Sequence, residues 1–204
     1  YPHCWRCGTG LIYKSQVSWY LKTDELRDRM IASNKQINWV PEHFGSGRFA
    51  YNLENAPDWS LSRTRYWGSP IPVWQTDDGE NIVVGSLKEL EELSGVKVTD
   101  LHRPAIDNVV IKTKDGKQAH RVKEVLDCWF ESGAMPYAQD HYPFENKEEF
   151  AQHFPADFII EYTGQLRGWF YYLHVLASGL KEEIAFKNVV VHGTLLGTDV
   201  RKMS

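Results

Sequence analysis

Cysteine is scarce, with three in 204 residues, too few and odd in number for a disulfide framework. No apolar run approaches the ~18 residues that a membrane span requires. No charged-then-apolar leader with a small-residue cleavage site is read at the start. A basic excess is also missing: the formal net charge is −4, which excludes a generic polycation gripping nucleic acid through charge alone. A local nucleic-acid contact stays open. Internal repeats and low-complexity tracts are absent. These absences leave a soluble α/β protein of a reducing compartment, read as cytoplasmic and with no membrane partner.

What is present is aromatic. Eight Trp, ten Tyr and nine Phe make 13% of the chain, and an apolar fraction of 42% suffices for a real core. The chain opens at Tyr1 without an initiator Met and stops at Lys202-Met203-Ser204 without a polar tail. That is read as a piece cut from a longer polypeptide, which can lack part of its own active site.

Patterning divides the chain into three stretches. Residues 1–72 carry a half-buried strand near Val17 to Leu21, a helix from Thr23 to about Asn34, loop chemistry at Trp39-Val40-Pro41 and Gly45-Ser46-Gly47, and a short helix near Phe49 to Ala56. Residues 73–125 form a small insertion of hairpins and one helix. Asp78-Gly79 and Asp115-Gly116 sit between apolar runs as hairpin turns, and Ser86-Leu87-Lys88-Glu89 is a capping box. Residues 126–204 are expected to hold strand, helix and strand in a βαβ unit. Asp157 to Tyr162 is the first strand. Leu166, Trp169, Phe170, Leu173, Leu176, Ala177 and Leu180 mark an apolar helical stripe, with a more polar stripe at Arg167, Tyr171, His174, Ser178 and Lys181. Phe186 to Val191 is the second strand, laid parallel to the first.

Ligands of open parallel sheets bind beyond the carboxyl ends of the strands. Glu161 and Gln165 follow the first strand, His192 and Gly193 the second, and Lys202 lies one loop further. A carboxylate at a helix start suits a ribose or an amine, and a lysine suits phosphate. The plainer reading of Glu161 is an acid complementing the helix dipole.

Four ordered segments carry a resemblance. They are Asp58-Trp59-Ser60-Leu61-Ser62-Arg63-Thr64-Arg65-Tyr66-Trp67-Gly68, Asp127-Cys128-Trp129-Phe130-Glu131-Ser132-Gly133, Gln165-Leu166-Arg167-Gly168-Trp169-Phe170 and Lys202-Met203-Ser204. Together they resemble the class I aminoacyl-tRNA synthetases, and within them the isoleucyl branch. The resemblance covers nearly the whole chain. It implies an α/β fold, the second half of a Rossmann-like parallel-sheet catalytic domain, beginning after the inserted editing domain and ending inside the Lys-Met-Ser-Lys-Ser loop. The first Rossmann half, with its His-Ile-Gly-His motif, and the editing domain would belong to the same parent chain. The implied partners are isoleucine, ATP with Mg2+ as substrate, and tRNA(Ile). The isolated piece is expected to be inactive.

Residue by residue, the resemblance implies that Glu161 and Gln165 touch the aminoacyl-adenylate. Trp129 and Trp169 would wall the isoleucine side chain, against plain core packing as the alternative. His192 and Gly193 would face adenine and ribose. Lys202 would be the catalytic lysine of the mobile loop, with Met203 beside it at the ATP site. Gly164 stands where many members carry a ribose-binding acid, which leaves ribose to Glu161, backbone amides or water. Arg63 and Arg65 fall near the mouth of the site, where phosphate contact competes with simple solvation. Two rival readings remain: a non-catalytic nucleotide-binding or protein-interaction module, and a valyl-specific relative.

Cys4-Trp5-Arg6-Cys7 has the spacing of half a zinc knuckle. Zinc wants four ligands, so Cys4 and Cys7 are read by default as two free thiols, with His3 as a possible third ligand and Cys128 an unsuitable fourth.

Overall fold

The computed structural model describes residues 1–203. Its architecture is built around the sequence's most apolar crossover. Helix α1 (Arg27–Asn34) and a three-residue strand β1 (Asn38–Val40) come first. A hairpin of β2 (Val73–Thr76) and β3 (Asn81–Val83) follows, then α2 (Leu87–Ser94) and a second hairpin, β4 (Val110–Lys112) with β5 (Gln118–Arg121). Helix α3 (Cys128–Gly133), strand β6 (Ala156–Tyr162), helix α4 (Trp169–Leu180) and strand β7 (Phe186–His192) come next, and shorter elements, among them the helix Ala50–Asn55 expected near Phe49 to Ala56, lie between those named.

Strands β6 and β7 pair in parallel through α4, as expected for a βαβ unit, and β1 adds to the far edge of β7, giving the order β6-β7-β1. The row Ile159–Val189–Trp39 faces the helices and joins Met30, Phe170 and Phe186 in the main core. The rows on either side face away from them, and there Phe158, Ile160 and Val40 are 55%, 51% and 47% exposed. Parallel sheets are ordinarily covered on both faces; this one is covered on one.

Two readings change. Trp39-Val40 is not loop but the centre and end of β1. The indole Nε1 of Trp39 donates to Asn34 Oδ1 at 2.9 Å, and Asn34 Nδ2 in turn donates to Gly45 O at 3.1 Å. A three-residue strand shows no alternation to read, so the Pro and Gly around it dominated. The more polar stripe on α4, whose burial the sequence left open, lies inside: Tyr171, His174 and Ser178 are buried with the apolar residues. His174 Nε2–H donates to Met30 O at 2.9 Å, with Ser33 Oγ 3.2 Å away, so α1 supplies the partners that let a polar ring enter the core. The first strand also shortens to Tyr20–Leu21, paired with Trp59–Ser60.

The two hairpins form as their Asp-Gly turns direct, and they assemble into one antiparallel sheet in the order β3-β2-β5-β4. Ser86 Oγ accepts from Glu89 N at 3.1 Å, capping α2. Trp74, Leu90, Ile106, Ile111 and Ala119 build a second hydrophobic cluster there, separate from the main core.

Asp127 joins three segments. Its buried carboxylate accepts from Trp59 Nε1 at 3.0 Å and from Arg63 Nη2 at 2.8 Å, and caps α3 through Trp129 N at 3.4 Å. Replacing Asp127 with Ala strands the Trp59 N–H and the Arg63 guanidinium and uncaps α3. The expected cost is about 2–3 kcal/mol in denaturant unfolding, and Asp127→Asn, which keeps an acceptor, costs less. A loss below about 0.5 kcal/mol in the Ala variant would show that the junction is not held there.

Burial lowers His174 to about 4, against a weaker opposing effect of its bond to Met30 O. The unfolded imidazole titrates near ~6.5. Stability from the neutral ring is therefore complete above about pH 6.5 and is lost as the pH falls toward 4, about 2 kcal/mol by pH 5. Melting curves at pH 7 and 5 should show a larger fall in Tm for the parent than for His174→Gln. Equal falls would place the acid sensitivity elsewhere.

Candidate functional site

The carboxyl ends of β6 and β7 form one rim. Glu161 pairs in register with Val191, and Tyr162 with His192. Successive side chains alternate across a sheet, so Glu161 leaves on the helix-covered face and His192, with Tyr162, on the open one. They share an edge but not a face. Glu161 Oε2 accepts from Tyr162 N at 2.9 Å. His192 Nδ1 lies 2.6 Å from Gly193 O and so carries its proton there. Gly193 is exposed.

From Thr163 to Arg167 the chain makes a 3-10 turn into α4. Gln165 Oε1 accepts from Trp169 N at 2.8 Å and so caps the start of the helix. Trp129 on α3 and Trp169 on α4 come together at this end. A Cβ on Gly168 would sit 3.1 Å from the tip of the Trp129 indole and 2.5 Å from Gln165 Oε1. Trp169 Nε1 donates to Ser132 O of α3 at 3.1 Å. One face of Trp129 is stacked on Tyr172, 5.2 Å between centroids and 18° between planes. Tyr172 in turn leans on Trp59 at 4.5 Å. Both indoles remain half-buried. Gln165, Trp129 and Trp169 are thus brought together beside the rim. Tyr162, Asp127 and Tyr172 also belong to this neighbourhood, and no sequence reading singled them out for a role.

A cleft of about 1130 Å³ lies between the hairpin sheet and α3. Arg65, Trp67, His102, Cys128 and Glu131 are among its lining residues. Trp67 stacks on His102 at 5.2 Å with 5° between planes. A smaller cavity of about 210 Å³ opens beside Trp59 and Tyr172. Neither of these two is lined by Trp129 or Trp169.

The two arginines separate. Arg63 Nη1 donates to Ser60 O at 2.7 Å and Ser62 O at 2.9 Å, besides the Asp127 ion pair. That guanidinium is spent on holding its own loop. Arg65 is exposed at the cleft.

Cys4 and Cys7 sit on a tight knuckle in which Gly8 N donates to Cys4 O at 2.9 Å and Cys4 N to Thr9 O at 2.8 Å. The Thr9 hydroxyl and backbone and the Cys4 thiol lower the Cys7 thiol to about 7. His3 Nδ1 is 2.8 Å from Tyr1 O, and Cys128 lies apart in the cleft. Among the described residues no three His, Cys, Asp or Glu side chains converge to hold a metal ion. Two thiols alone do not make the four-ligand zinc site. No helix among the described residues is long and apolar enough to cross a membrane.

The chain is 58% identical over 211 residues to isoleucine–tRNA ligase of Nocardia farcinica, 57% over 212 residues to that of Corynebacterium diphtheriae and 54% over 204 residues to that of Chlamydia pneumoniae. Each match covers 100% of this chain and 20% of the relative, so the chain spans about a fifth of their length. In fold it is similar to Mycobacterium tuberculosis methionyl-tRNA synthetase bound by methionyl-adenylate, with a TM-score of 0.54 at 15% identity over 97% of this chain and 30% of that one. It is also similar to LeuRS of Agrobacterium radiobacter K84 in a ternary LeuRS–tRNA–LeuAMS complex, with a TM-score of 0.51 at 21% identity over 72% of this chain and 21% of that one. The model of the class I tRNA synthetases (I, L, M and V) matches residues 10–204, and the chain belongs to that family.

Proposed function

We propose that this chain is the part of an isoleucine–tRNA ligase that carries the second half of the catalytic sheet. The identity of 53–58% to such ligases along its whole length carries this reading. In the complete enzyme, isoleucine's carboxylate attacks the α-phosphorus of ATP, forming isoleucyl-adenylate and releasing pyrophosphate. A ribose hydroxyl at the end of tRNA(Ile) then takes the isoleucyl group and AMP leaves. No covalent enzyme intermediate is required, so catalysis is positioning plus stabilisation of charge at phosphorus.

On this reading Glu161 touches the aminoacyl-adenylate and Gln165 lies near the substrate carboxyl and the adenylate. His192 and Gly193 flank adenine and ribose from the end of β7. Lys202 and Met203 approach the ATP phosphates, for which Mg2+ enters with the nucleotide. Trp129 and Trp169 supply the apolar wall for the branched side chain, because indoles give a large rigid contact at little entropy cost. Arg65, rather than Arg63, has its cation available for a phosphate of the tRNA end. The exposed face that carries Phe158, Ile160 and Val40 is where the first Rossmann half of the parent chain packs. Residues 73–125, with their separate hydrophobic cluster, act as an insertion on the catalytic half. The cytoplasm is the compartment this function requires, and zinc at Cys4 and Cys7 would need two further ligands from outside this chain.

ATP–pyrophosphate exchange tests the assignment. In the full-length ligase, Trp129→Ala and Trp169→Ala should each raise the isoleucine KM at least about tenfold. They should also narrow the discrimination against valine, which a well-formed slot holds at ~1–3 kcal/mol. Unchanged selectivity in both variants contradicts the wall. The 204-residue chain alone should give no isoleucine-dependent exchange, and clear turnover would contradict the need for the rest of the enzyme.

A further inference from the structure

Tyr162 ends β6 beside His192 and faces the open side of the sheet. Its ring lies over Gly164 so closely that a Cβ there would come within 2.4 Å of the phenol carbon and oxygen. No side chain at 164 can coexist with this pose. Beyond β7 the chain turns back in a tight hairpin. Gly197 N donates to Arg201 O at 2.8 Å, Met203 N donates to Leu195 O at 3.1 Å, and Leu196 bridges Lys202. The hairpin delivers Lys202 to the same ring. Its Nζ donates to Tyr162 Oη at 3.2 Å and stands 4.8 Å from the ring centroid. The ammonium thus meets both the phenol oxygen and the aromatic ring.

We infer that Tyr162 is a positioning residue that docks Lys202 at the carboxyl rim of the sheet, and that Gly164 is the companion residue whose missing side chain makes room for it. Lysine is a point charge on a long flexible stem. Docking holds that charge at the strand ends, next to His192, before nucleotide arrives. The functional part rests on the reading of Lys202 as a phosphate-contacting residue; the contact itself does not. Tyr162 touches neither substrate nor reacting atoms in this role.

The contact is tested on the 204-residue chain by NMR of 13C-labelled lysine, with Lys202→Gln identifying the resonance. A lysine methylene held against an aromatic ring is shifted upfield. Parent and Tyr162→Phe should show the shift, and Tyr162→Leu should abolish it. Gly164→Ala, which displaces the ring, should reduce the shift in the parent and change nothing further in Tyr162→Leu. A Lys202 signal at the free-lysine position in the parent, or one unmoved by Tyr162→Leu, overturns the proposal. The consequence is tested in the full-length ligase, where Tyr162→Leu should raise the ATP KM about three- to tenfold and leave the isoleucine KM unchanged. If Lys202→Ala impairs exchange while Tyr162→Leu leaves the ATP KM alone, docking has no role in catalysis and the inference fails. If Lys202→Ala is itself without effect, the nucleotide reading of Lys202 fails, and the NMR result alone decides the contact.

Discussion

The parallel pairing of β6 with β7 through a helix that is buried nearly all round is the constraint from which the site follows. Residues Ala156–Tyr162 and Phe186–His192 can lie side by side and point the same way only if the connection returns across one face. The apolar mass of α4, with Phe170, Leu173, Val175, Leu176 and Ala177 all buried, holds it on that face. Parallel strands end together. Glu161, Tyr162 and His192 therefore reach one edge, and the turn into α4 adds Gln165 and Trp169 to it.

The same packing explains where the indoles stand. Helix α3 lies against α4; the missing side chain of Gly168 leaves room for the Trp129 indole, and Ser132 O accepts the Trp169 N–H, which brings both indoles to this end. Asp127 then fixes the start of α3 while gripping Trp59 and Arg63 from the preceding loop. One carboxylate connects the aromatic wall to the segment that leads into the cleft. A charge that the sequence offers for ligand binding, Arg63, is consumed in that connection, and the neighbouring Arg65 keeps its exposure.

Much of this was legible because the signals are local. Asp78-Gly79 and Asp115-Gly116 need no tertiary information to turn a chain, and Ser86 with Glu89 caps a helix wherever it lies. A strand, helix and strand of strong apolar content read directly as a crossover. The omissions are long-range. Strand β1 exists because β7 offers it a partner and Asn34 receives its indole N–H. His174 is buried because Met30 O, 144 positions away, accepts its proton. Tyr162 gains meaning only when Lys202, 40 positions on, folds back to it. Alternation along β6 and β7 also separates Glu161 from His192 by face, which a list of residues at strand ends does not show. The roles proposed for Trp129 and Trp169 come from the resemblance, since spacing alone leaves both as ordinary core.

The central claim is that the rim of β6 and β7 cradles an activated amino acid. A crystal structure of the full-length ligase with a non-hydrolysable isoleucyl-adenylate analogue tests it most directly. The adenosine is expected at the ends of β6 and β7 beside His192, with the isoleucyl side chain against Trp129 and Trp169. An analogue bound in the cleft between the hairpin sheet and α3, with the rim untouched, would contradict it.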